Sequence, residues 1–116
     1  MALYKQITLT GTGSELNSDP YPVNWRANPF NASLKLHTSG STTGFTVQYT
    51  MDDPNNFASA SDYNTSATWT SHPYMTSLTS DTDGNLAFSI RAVRLQADTN
   101  GTDTAVLTYI QGTQGA

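Results

Sequence analysis

The chain of 116 residues contains no cysteine. That absence excludes disulfide bonds and thiolate metal sites. Cations are also scarce: the five Lys and Arg residues are Lys5, Arg26, Lys35, Arg91 and Arg94, and no two form a run. Nine acidic residues give a formal net charge of -4, the wrong sign for a surface that tracks nucleic-acid phosphates. Charged residues make up only 12% of the chain, about half the usual share. No apolar run approaches the ~20 residues of a membrane-spanning helix, so no membrane partner is expected. The segment MALYKQITLTG lacks the apolar stretch of about 7–15 residues that marks a secretory signal. The expectation is a protein made in a reducing cytoplasm.

Serine and threonine supply the polarity that charge does not. Threonine is stiff at χ1 and favours strands. In LYKQITLTG, Leu3, Lys5, Ile7 and Leu9 alternate with Tyr4, Gln6, Thr8 and Thr10, the period of a half-buried strand. ASLKLHTSG places Leu34 and Leu36 on one face. In STTGFTVQYTMDDP, Phe45, Val47, Tyr49 and Met51 share a face until Asp52, Asp53 and Pro54 end the strand. Residues 55–66 read as a polar loop or a helical turn, and ATWTSHPYM as a short strand carrying Trp69 into the core. The segment LAFSIRAVRLQADTNGTDTAVLTYIQG, residues 86–112, reads as two long strands. Leu86, Phe88 and Ile90 share one parity and Val93, Leu95 and Ala97 the other, which predicts a bulge, a corner or a change of sheet. Asn100-Gly101 predicts a hairpin turn, and Asp83-Gly84 another turn. TAVLTYIQG, apolar on both parities, reads as a central strand. Seven or eight short strands without a helical period predict an all-β, single-domain antiparallel β-sandwich, jelly-roll-like, over residues 1–116.

The chain holds few groups that do chemistry. Glu15, the only glutamate, sits in a turn, and Asp52 and Asp53 are adjacent on a strand and point apart. DTDGN at 81–85 and DTNGTD at 98–103 begin like calcium loops, but the glycine falls too early and no bidentate glutamate follows. His37 and His72 have no cysteine or acidic partner at ligand spacing and no serine elbow beside them. The expectation is therefore no catalytic residue, no metal and no cofactor.

A sandwich has edges, and soluble proteins usually guard them with charge, often lysine. This chain has two lysines, so either loops or a partner must cover its edges. Uncharged arms at both ends, MALY and GTQGA, could lie along a neighbour. Residues 44–112 further resemble the decoration, or cement, proteins of tailed-bacteriophage heads. The resemblance rests on the Thr-rich strand of FTVQYTMDDP, the Trp strand of ATWTSHP, and DGNLAFSIRAVRLQADTNGTDTAVLTYIQG, with a looser match at QITLTGTG. It implies a virion protein on the capsid exterior, made in the host cytoplasm and bound to the major capsid protein. It also implies a homodimer or homotrimer at capsid symmetry axes, without nucleic acid or membrane. Contacts are expected from loops and arms: Leu3, Tyr4, Trp25, Arg26, Tyr74 and Met75. Arg94 is expected to pair with Asp52 or Asp53 and lock a corner. The alternative is a virion tail, receptor-binding or carbohydrate-binding module, stacking sugars on Trp25, Tyr63 or Tyr74.

Overall fold

The computed structural model describes residues 2–27 and 29–112. Nine strands run in chain order: β1 (Ala2–Thr10), β2 (Leu16–Asn17), β3 (Tyr21–Pro22), β4 (Ala32–Thr38), β5 (Phe45–Thr50), β6 (Thr70–Ser71), β7 (Thr82–Leu86), β8 (Ala92–Ala97) and β9 (Thr104–Gly112). One sheet has the order β1-β9-β4-β7; the other has β2-β8-β5-β6, with β3 on the same edge of β8 as β2. Every pairing is antiparallel. The pattern is nested: β1 pairs with β9, β2 and β3 with β8, β4 with β7, and β5 with β6. A long hairpin of this kind, rolled so that β9 also meets β4 and β8 meets β5, is a jelly roll.

The core lies between the sheets. Ile7 and Leu9 of β1, Leu34 and Leu36 of β4, Phe45 and Val47 of β5, and Leu107 and Tyr109 of β9 all turn inward. The alternation read from β4, and from Ile7 and Leu9 of β1, is the burial pattern observed; β5 is instead buried on both faces, with Thr46, Gln48 and Thr50 covered as well, and Met51, expected inward, is exposed beyond its end. β9 is central, as its composition requires.

The segment 86–112 is not one hairpin. Its strands β8 and β9 lie in different sheets. Residues 98–103 carry the chain over one end of the sandwich. Asp103 holds this link down by accepting from the backbone N–H groups of Thr42 and Thr43 at 2.8 and 2.9 Å. Gly101 has φ +67, and a Cβ there would meet Thr42 Cγ2 at 2.7 Å. The Asn-Gly pair thus serves a crossing turn. The slip between Leu86 and Val93 is likewise a change of sheet, made by residues 87–91 between β7 and β8.

Asp83-Gly84 is not a turn either. Both residues lie inside β7, where Gly84 gives room to Met75: a Cβ at Gly84 would stand 2.5 Å from Met75 Sδ. The segment between β5 and β6 forms a 3-10 turn at Pro54–Asn56 and a short helix, α1 (Ala60–Ser66), capped by Ser59 Oγ accepting from the Asp62 N–H. Residues 51–69 strap the outer face of the β5–β8 sheet through a second small core of Phe57, Tyr63, Ala67, Trp69 and Ala92. Trp69 is therefore half-buried under the strap, not in the main core, and it lies just before β6.

Arg94 fixes the strap. It is 6% exposed, yet it pairs with neither Asp52 nor Asp53. Its Nε donates to Gln48 Oε1 at 2.8 Å, and its Nη1 donates to both the backbone oxygen and Oδ1 of Asn64 at 2.6 Å. Its guanidinium carbon stands 4.3 Å from the centre of the Trp69 ring. Burial pushes its pKa down to about 10, so the charge remains at neutral pH. The expected aspartate bond is made by Arg91, whose Nη2 is 3.1 Å from Asp53 Oδ1.

Candidate interaction surface

The two ends of the sandwich differ in chemistry. At the end where β1 finishes and β9 begins, short turns consume their own polar groups. Asp103 ties Thr42 and Thr43, Asp98 Oδ1 accepts from the Asn100 N–H, and Ser39 Oγ accepts from the Thr104 N–H. The opposite end, where β1 begins and β5 and β7 finish, collects exposed aromatic and apolar side chains instead.

Trp25 is placed there by Gln111, a fully buried side chain on β9. Gln111 Nε2 donates to the Asn24 carbonyl at 2.8 Å, and Gln111 Oε1 accepts from Tyr109 Oη and from the Asn24 N–H. The Val23 N–H donates to the Arg91 carbonyl at 3.1 Å. Between these anchors the Trp25 ring, 39% exposed, lies 4.4 Å from the Arg91 guanidinium carbon and 4.9 Å from that of Arg26. Asp53 holds Arg91 from the other side. Trp25 stacked by Arg26 and Arg91, with Arg91 ion-paired to Asp53, forms one connected unit.

Tyr74, 82% exposed, stands on a turn set by His72. The Tyr74 N–H donates to His72 Nδ1 at 3.1 Å, so His72 Nε2 carries the proton and donates to the Asn85 carbonyl at 2.8 Å. Tyr74 and Phe88 line a groove of about 220 Å³ with His72, Pro73, Asn85 and Ala87. Phe88 packs edge-on against the half-buried Tyr49, with ring centroids 5.3 Å apart, and leaves much of itself in solvent. Met51 is exposed just past the end of β5.

Of the expected contact residues, Tyr4, Trp25, Arg26 and Tyr74 are exposed and Leu3 is half-buried. Leu3, Tyr4, Trp25 and Arg26 gather at this one end, and Tyr74 stands on its flank. Met75 does not belong with them: it is 0% exposed and packs into the core over Gly84. Its neighbour Tyr74 lies in the β-turn closed by the Met75 N–H donating to the His72 carbonyl at 3.2 Å, and points out to solvent. Tyr63 is buried, with its hydroxyl donating to the Asp52 carbonyl at 2.8 Å; it is no stacking platform. Burial raises its pKa to about 12. Met1 and the arm beyond Gly112 lie outside the described residues. The sequence reading missed Phe88, Met51 and Ile110, all exposed. The phase slip after Leu86 was the signal for Phe88, since a residue in a sheet-changing corner has no fixed inward face. Ile110 directly opposes Tyr4 across the β1–β9 ladder, so the two make a cross-strand apolar pair on the outer face.

Among the described residues no three His, Asp or Glu side chains converge as a metal site would, and no helix is long and apolar enough to cross a membrane. His37 and Asp81 meet at 2.9 Å on the surface, and the bond to His37 holds the Asp81 carboxyl below the ordinary carboxylate range.

No protein-family model matches the sequence, and no curated protein does. The chain is similar in structure to a solved chain from Bacillus endospore appendages, described as a novel family of disulfide-linked pili. The TM-score is 0.56 at 12% identity, over 97% of this chain and 87% of that one. The likeness is one of fold and adds a second line of support for the β-sandwich. None of these matches singles out phage decoration proteins.

Proposed function

We propose that this protein is a structural element that works by protein–protein contact, and more finely a virion decoration protein that grips the outside of a major capsid shell. The observation that carries the reading is the division of the sandwich into one end tied by its own hydrogen bonds and one end presenting Trp25, Met51, Phe88 and Tyr74. An exposed tryptophan stacked by two arginines, beside exposed Tyr74 and Phe88, has the composition of an interface centre. The structural neighbour, a pilus subunit by its description, supports a building-block role for this type of jelly roll. Its pili are disulfide-linked, whereas this chain has no cysteine, so copies of these 116 residues would not be joined by disulfides of their own.

A decoration protein at a seam would touch two or more shell subunits, and the second contact would be intramolecular once the first is made. Separating the shell subunits would then also require breaking the contacts of the decorating copy. The carbohydrate-binding alternative is less well supported, because one of its three platforms, Tyr63, is buried. Co-sedimentation with capsids that lack the protein tests the reading. Saturable binding is expected. Absence of binding, together with capture by an immobilised glycan panel, would replace it.

A further inference from the structure

The four sheet edges are treated unequally. Strand β6 is only two residues long. The β2–β3 edge is broken between Asn17 and Tyr21, and it carries Pro20 and Pro22, which cannot donate to an added strand. The β7 edge is capped where His72 Nε2 donates to the Asn85 carbonyl. The β1 edge has none of these devices. It is nine residues long, free of proline and in unbroken register with β9. Its one guard is the exposed Lys5; long, regular edges so lightly guarded are what soluble proteins avoid unless a strand is added to them.

One bond shows which residues face that edge. The Gly11 N–H donates to the Asp103 carbonyl at 2.9 Å, continuing the β1–β9 register by one step. Odd-numbered residues of β1 therefore exchange hydrogen bonds with β9. The N–H and C=O groups of Ala2, Tyr4, Gln6, Thr8 and Thr10 point to the free side. On the partner side of β9, the Ser39 N–H donates to the Thr104 carbonyl at 2.9 Å, which agrees with that phase. Among the described residues no backbone group takes up these outward donors and acceptors.

We infer that β1 is a homodimerisation edge, at which a second copy of this chain adds its own β1 antiparallel across a two-fold axis. The strand is self-complementary for this operation. Its midpoint is Gln6, a residue whose backbone groups point outward. With Gln6 facing Gln6 of the partner subunit across the axis, all nine residues overlap and every outward-facing residue meets another: Tyr4 meets Thr8, and Ala2 meets Thr10. An axis falling between two residues would set outward-facing residues against inward-facing ones and lose this match. Side chains on the outer face of β1 are uncharged, so no like charges oppose one another there. The single charge on the strand, Lys5, leans toward the other sheet of its own chain, with its Nζ 5.8 Å from the Tyr21 ring centre, and would face Ile7 in the paired copy. The product is a continuous eight-stranded sheet, with the Tyr4–Ile110 pairs on the outer face on either side of the axis. This inference concerns the isolated protein and does not depend on the capsid reading.

The test uses the lack of native cysteine. Gln6→Cys and Thr10→Cys each carry one thiol per chain, on the same face of the same strand. The pairing places the two thiols of the Gln6→Cys dimer about 5.5 Å apart at Cα. It places those of Thr10→Cys roughly 25 Å apart, eight residues at ~3.3 Å each. A bismaleimide with a span of about 8 Å should cross-link Gln6→Cys at least tenfold more than Thr10→Cys. Sedimentation velocity should find the wild-type chain as a dimer, and Gln6→Pro, which removes an outward N–H and no β1–β9 bond, as a folded monomer. Equal cross-linking of the two cysteine variants, or a monomeric wild type at high concentration, would overturn the inference.

Discussion

Met75 Sδ occupies the space where a Gly84 side chain would be: a Cβ on Gly84 would lie 2.5 Å from the sulfur. The relationship joins the turn after β6 to the edge strand β7 and closes one side of the sandwich. Met75 is fully buried, so its flexible end has nowhere to retreat. Gly84→Ala should destabilise the fold by about 1–3 kcal/mol through overpacking. Met75→Ala alone should cost about 2–5 kcal/mol through its cavity. Urea unfolding of both single variants and the double should give a total smaller than the sum, because the new methyl fills part of the space that methionine vacates.

Arg94 is a buried cation whose acceptors, Gln48 and Asn64, are neutral. Removing it leaves those acceptors unpaired beneath the strap. Arg94→Ala should lower stability by at least about 2 kcal/mol. Arg94→Lys should recover little, because one ammonium cannot reproduce a fork that meets both partners while stacking on Trp69. Thermal melts measure the loss, and Trp fluorescence should report the loosened strap around Trp69.

Ser77 adopts φ +52, the left-handed region that glycine occupies without strain. Its N–H donates to Thr46 Oγ1 at 3.0 Å, a bond that survives any side-chain change except proline. Ser77→Gly should leave the melting temperature unchanged or raise it slightly. Ser77→Val, β-branched at a left-handed position, should cost about 1–3 kcal/mol.

Stability should fall at alkaline pH. Burial raises the Tyr63 phenol to about 12, and burial raises that of Tyr109 as well. A phenol in the unfolded chain ionises near pH 10, whereas the folded protein keeps Tyr63 protonated to about 12. The unfolded state therefore binds fewer protons between those values. The contribution of Tyr63 is whole below pH 10 and is lost as pH rises from 10 to 12, on the order of 2 kcal/mol. Tyr63→Phe should flatten part of this decline, while losing the hydrogen bond to the Asp52 carbonyl at all pH values. Chemical denaturation at pH 8, 10 and 11 reads the slope.

The alternation of Leu34 with Leu36, and of Phe45 with Val47, marked strands and faces because each faces a single core. The same rule could not assign β8 and β9 to a sheet. Val93 and Leu95 point into the core from one sheet and Leu107 and Tyr109 from the other. A hairpin would have produced the same pattern. What separates the two cases is Asp103 binding the backbone of Thr42 and Thr43, a contact across some sixty residues that no local pattern carries. Asp83-Gly84 misled for a related reason. Its glycine answers a sulfur atom from another segment, not a turn of its own. At the candidate surface, Trp25 and Tyr74 were legible because prolines beside them break regular structure. Met75 was not, since its burial depends on β7. The scarcity of lysine foreshadowed lightly guarded edges but did not single out β1, which holds Lys5, one of the two lysines; its phase required the Gly11–Asp103 bond.

The most direct measurement for the structural reading is the temperature at which capsids release their DNA, with and without saturating protein. The account predicts a rise that saturates with added protein and is lost with Trp25→Ala combined with Phe88→Ala. An unchanged release temperature at saturating protein would contradict it.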